Sequence, residues 1–172
     1  MSEPGAEARP GFWRRRLGDP LVSLLAQGLT PERLALSLAA GLVLGLFPIV
    51  GATTLLCLAA GFAFRLNHVA LQLANHLAYP LQVPLILAFV RLGERLVGAP
   101  RVPFDPLALA RHFQRDASGF LREFGLTGLH GILGWSLVAP VLLGSVFLTL
   151  RPVLRRVDAA LRRSGRLPAL PA

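Results

Sequence analysis

Charged and apolar residues fall in long separate blocks along this chain. Residues 34 to 64, 31 in a row, carry no charge, and Pro48 and Gly51 stand at the middle of the run. As one straight helix the run would be roughly 46 Å long, against about 30 Å for the hydrocarbon core of a bilayer. The pattern therefore predicts a broken helical hairpin over 34–64 that turns back at residues 47–51. Thr30, Pro31 and Glu32 mark a helix start ahead of it, with Thr30 as N-cap and Pro31 at the first helical position. The second block, residues 66–90, is long enough to span by itself, but Pro80 and Pro84 are expected to break it near its C-terminal third. The third, residues 125–150, holds Pro140. Pro48, Gly51, Pro80 and Pro84 are thus the expected helix breaks.

The flanks complete the plan. Residues 1–10 are small, polar and rich in Pro and Gly, and predict disorder. Residues 12–29 place Phe12 and Trp13 beside Arg14, Arg15 and Arg16, with Leu21, Leu24, Leu25 and Leu29 at helical spacing, so an interfacial helix is expected there. In 106–124, Leu109, Phe113, Ala117, Phe120, Leu121 and Phe124 form one face of an amphipathic connecting helix. Residues 151–172 carry six arginines against Asp158 and read as a basic cytoplasmic tail. The expected fold is an all-α integral membrane domain, 1–172: a compact bundle of broken or re-entrant and transmembrane helices joined by an amphipathic helix. With the first hairpin turning back, both termini lie on the cytoplasmic side.

Composition supports lipid as part of the solvent. Of 172 residues 53% are hydrophobic, and the mean hydropathy is +0.57. The formal charge is +9 and every basic residue is arginine. These arginines flank apolar runs and do not form a stripe beside exposed aromatics, so anionic headgroups of a bilayer are the expected partner and nucleic acid is not. Cys57 is the only cysteine, which excludes an internal disulfide and a thiolate cluster. A cleaved signal peptide is not expected, because Pro20, Pro31, Glu32 and Arg33 interrupt the early apolar stretch. Small residues crowd the runs: Gly41 and Gly45 have the small-xxx-small spacing, and Gly125, Gly128, Gly131 and Gly134 recur every three residues. Such faces let helix backbones approach closely in lipid.

Chemistry, if any, should lie in the second run. Asn67, His68, Gln72, Asn75, His76, Tyr79 and Gln82 place a polar stripe on one face of a membrane helix, which must turn inward. The stripe could line a site for a polar or lipidic ligand; equally, its amides and imidazoles could bond across helices. No Asp or Glu lies in the three runs to orient a histidine. His68 and His76 are two turns apart, too far to close on one zinc ion, and neither an H-E-x-x-H nor a G-x-S-x-G motif occurs. Neither a catalytic residue, a metal nor a cofactor is expected.

Thr30-Pro31-Glu32, the run Gly45-Leu46-Phe47-Pro48-Ile49-Val50-Gly51, Arg65-Leu66-Asn67, Pro80-Leu81-Gln82-Val83-Pro84 and Leu92-Gly93 recur in this order in bacterial proteins of the domain of unknown function family 2062, which the chain resembles over residues 30–98. Where that family is expected to show Asn-Pro-Leu-Thr, this chain has Tyr79, Pro80, Leu81 and Gln82. The resemblance implies a small multi-pass protein of the bacterial inner membrane. The expectation is a non-enzymatic protein that binds or passes a polar or lipidic ligand at its broken helices. The alternatives are an accessory subunit assembling with itself or with an envelope glycolipid enzyme, as relatives joined to glycosyltransferase domains suggest, and a membrane enzyme with a histidine base.

Overall fold

The computed structural model describes residues 23–25, 29–101 and 117–165, the side chains of 117–124 excepted. Four helices are described in full: α1, Pro31–Gly45; α2, Ala52–Ala63; α3, His68–Val97; and α4, Ala117–Arg163. No strand occurs among the described residues. The expected disordered segment 1–10, most of the interfacial helix 12–29, residues 106–116 of the amphipathic helix and the end of the basic tail lie outside the described residues. Within 23–25, Leu24 and Leu25 are buried in a cluster with Leu34, Ala35, Leu38, Ala70, Ala74 and Leu154. At that point the segment is docked on protein.

The expected hairpin is present, and its causes are local. Thr30 caps α1, its side chain accepting from the Arg33 amide at 3.3 Å, and Pro31 opens the helix. The helix ends at Gly45; Pro48 follows within the turn, and Gly51, at φ 89°, caps α2 in a conformation that favours glycine. At 15 and 12 residues, α1 and α2 are about 22 and 18 Å long, each short of a 30 Å core. After α2 the chain is back beside the start of α1. The Ser37 hydroxyl donates to the Arg33 carbonyl at 2.8 Å and accepts from the Asn67 amide at 3.0 Å.

The expected breaks at Pro80 and Pro84 do not occur: α3 is continuous over 30 residues, to Gly98 at φ 66°. Each proline removes one backbone donor, but both prolines face outward, while the turns before and after them are held by close packing. Upstream, a Cβ added to Gly45 would lie 2.8 Å from the Ala78 Cβ and 3.0 Å from the Asn75 Cα. Downstream, Gly93 and Gly134 set the backbones of α3 and α4 directly against each other, at the His130 and Phe89 carbonyls. Leaving the helix would also free further polar backbone groups, which would then need other partners.

The third run is part of a helix of 47 residues that passes through Pro140 and Pro152. The expected boundaries at 124/125 and 150/151 both fall inside it: the end of the amphipathic segment, the apolar run and the start of the basic tail are one helix. Two helices, α3 and the part of α4 from Gly125 to Arg163, are long and apolar enough to cross a membrane. The order is therefore a short hairpin followed by two long helices. Helix α1 lies at the centre, parallel to α3 through the Gly41–Leu71 and Gly45–Asn75 approaches and antiparallel to α4 through Glu32–Arg155 and Val43–Trp135.

Candidate functional site

The break between α1 and α2 frees backbone carbonyls that need donors. Two side chains from distant parts of the chain supply them. The Gln82 amide donates to the Phe47 carbonyl at 2.9 Å, and the Trp135 indole N–H donates at 3.1 Å to the Val43 carbonyl, which also accepts from the Leu46 amide at 3.2 Å. The Trp135 ring also meets Phe47 edge-on, with centroids 5.1 Å apart. Pro48 packs against Gly131, where an added Cβ would be 3.2 Å from the Pro48 Cβ. The hairpin tip and Gln82 of the polar stretch of α3 thus meet, and the meeting is a cap.

The other stripe residues divide by burial. Asn75 is fully buried, and its Nδ2 donates to the Gln72 side-chain oxygen at 3.3 Å; Gln72 in turn reaches the Thr54 carbonyl of α2 at 3.4 Å. The Asn75 Oδ1 is buried without a hydrogen-bond partner. Asn67 is the N-cap of α3, accepting from the Ala70 amide at 2.9 Å, and so takes no part in a cavity. His68 lies over Gly61 and beside the Phe62 ring, centroids 4.7 Å apart. His76 and Tyr79 are exposed, with their rings 5.1 Å apart, and the His76 Nδ1 is 2.7 Å from the Gln72 carbonyl oxygen. The seven residues therefore do not converge. Asn67 and Gln82 cap backbone, His68 and Gln72 tie α3 to α2, Asn75 is buried against Gln72, and His76 and Tyr79 face outward.

Space is found elsewhere. A groove of about 550 Å³ lies between α1, α2 and α4, lined by Leu36, Val43, Ala60, Phe64, Trp135 and Pro140 among others, with Ser136 the one hydroxyl on its wall. That volume is in the usual range of roughly 300–1,000 Å³ for ligand pockets. A smaller groove of about 260 Å³, between Leu38, Leu42, Leu73, Leu77 and Val146, is equally apolar. Sequence reasoning missed both, and missed Trp135 as a cap. The available signal was that an indole N–H in an uncharged run must find an acceptor, and a broken helix supplies one.

It also missed Glu94. The extension of α3 beyond residue 90 carries this carboxylate onto the buried side of the helix, where Arg91 pairs with it at 2.8 Å. At the opposite end, Arg155 of α4 pairs with Glu32 in the first turn of α1. That hydrogen bond, before all other causes, holds the Glu32 carboxyl below its ordinary range. No group of three or more His, Cys, Asp and Glu side chains that could hold a metal ion forms among the described residues.

Neither a curated protein nor a solved structure matches this chain. One family does, over residues 14–162, far beyond the stretch whose motifs carry the resemblance. The chain belongs to that family, described as uncharacterized protein conserved in bacteria (DUF2062).

Proposed function

We propose that this is a non-enzymatic, multi-pass protein of the bacterial inner membrane that holds a lipidic ligand by its acyl chain in the groove between α1, α2 and α4. The observation that carries the reading is the groove itself: about 550 Å³ beside a broken helix, with almost entirely apolar walls. The polar alternative loses ground because two of the four amides expected to bind a solute, Gln82 and Asn67, are engaged with backbone at the break and at the start of α3. A histidine base finds little support, since His68 is set against Gly61 and Phe62, and His76 against Gln72 and Tyr79.

Membrane insertion is part of the same reading. The apolar windows of α3 and α4 are only 33% and 17% buried by protein, unlike the core helix of a soluble domain. Val50, Leu55, Phe62, Phe64, Val83, Val141 and Leu148 stand exposed, as large apolar side chains facing lipid would. The test is lipid extraction from the detergent-purified chain. Wild type should retain lipid through purification, and Ser136→Trp, which projects an indole into the groove, should release most of it. Equal lipid in both would count against the groove.

The accessory-subunit reading has one observation of its own. Among the described residues nothing lies within 4 Å of a Cβ added to Gly125, Gly128 or Gly144 on α4, whereas Gly41, Gly45, Gly93 and Gly134 are used within the chain. Crosslinking of single cysteines at positions 128 and 144 in membranes would reveal association through that face, and its absence would remove this reading.

A further inference from the structure

We infer that the groove selects an anionic phospholipid, whose phosphate lies between Arg33 and Arg65. This rests on the acyl-groove reading and adds the headgroup to it. The groove ends at the α2–α3 turn, where Phe64 and Leu66 are both on its wall and Arg65 stands between them. On the α1 side, Leu36 lines the groove and Arg33 is one turn before it. The two arginines are brought to one place by a single hydroxyl, because Ser37 bonds the Arg33 carbonyl and the amide of Asn67, two residues after Arg65.

Both arginine side chains are exposed, and neither makes an ion pair among the described residues. Glu32, the acid in the same turn as Arg33, is taken by Arg155. Two unpaired guanidiniums at the mouth of an apolar groove complement a phosphate diester at the end of acyl chains, and the planar donor fork of arginine suits its oxygens. Arg65 holds its place at φ 52°, where glycine would be at ease. A zwitterionic lipid offers the same phosphate with a cation attached, which two arginines disfavour.

The experiment is native mass spectrometry of the full chain in detergent with equimolar phosphatidylglycerol and phosphatidylcholine of identical acyl chains. Wild type should carry the anionic lipid in about tenfold preference. Arg33→Gln with Arg65→Gln should bring the ratio near one through loss of the anionic lipid, and Arg33→Lys with Arg65→Lys should restore most of the preference. Ser136→Trp should remove both lipids alike. Equal binding by wild type, or a preference that survives the double glutamine variant, overturns the headgroup inference while the acyl groove stands. Lipid counts unaffected by Ser136→Trp, or a dimer with its groove covered and free of lipid, overturn the groove and this inference with it.

Discussion

Arg65 occupies the left-handed position that ends α2, with the Leu66 amide reaching back to the Gly61 carbonyl at 3.0 Å. A Cβ there is strained by about 1 kcal/mol or more, so Arg65→Gly should raise the unfolding midpoint in detergent while abolishing the headgroup preference. The two readouts would move in opposite directions, which a purely structural arginine would not produce. Glu32 gives a pH dependence of determined sign. Its folded pKa is lowered, chiefly by the hydrogen bond from Arg155, so its contribution is complete above the ordinary value of 4.5 and is lost as pH falls through the lowered one. The pair is partly exposed, and the effect is accordingly small. Thermal unfolding of wild type should exceed that of Glu32→Gln at neutral pH, and the two should converge in acid.

At the scale of elements, contact between backbones decides what the helices tolerate. A side chain on Gly93 or Gly134 would meet the carbonyl of the opposing helix, so Gly93→Leu or Gly134→Leu should cost about 3 kcal/mol or more and be seen as early unfolding or aggregation in detergent. Gly144→Ala, with nothing within 4 Å of its added Cβ among the described residues, should be neutral or stabilise by up to about 1 kcal/mol through helix propensity. The break between α1 and α2 depends on donors from elsewhere. Trp135→Phe keeps an aromatic ring against Phe47 but leaves the Val43 carbonyl with the Leu46 amide as its donor, and should lower stability by up to about 1 kcal/mol.

For the whole molecule, the hairpin and two long helices place Thr30, Arg65 and Arg155 at one end and Gly98 at the other. With Cys57 replaced by alanine, single cysteines at positions 65 and 159 should be labelled from the same side of intact vesicles, and one at position 99 from the opposite side. Labelling of 65 and 159 from opposite sides would refute the proposed topology. The same arrangement explains why the proline breaks were misread. Whether a proline ends a helix depends on what holds the flanking turns, and at Pro80 and Pro84 those holders are Gly45 and Gly134, remote in sequence.

What the amino-acid order determined by itself was whatever depends on near neighbours: the uncharged blocks, the Thr30 cap, and the turn from Leu46 to Gly51, where Pro48 lacks a donor and Gly51 takes a positive φ. The helical class follows from the same local rules. Only the tertiary structure decided that Gln82 and Trp135 cap a break 35 and 92 residues away, that Asn75 turns inward while His76 turns out, and that an apolar groove opens between three helices. A buried carbonyl must be satisfied, but nothing in the local pattern says which distant side chain will do so.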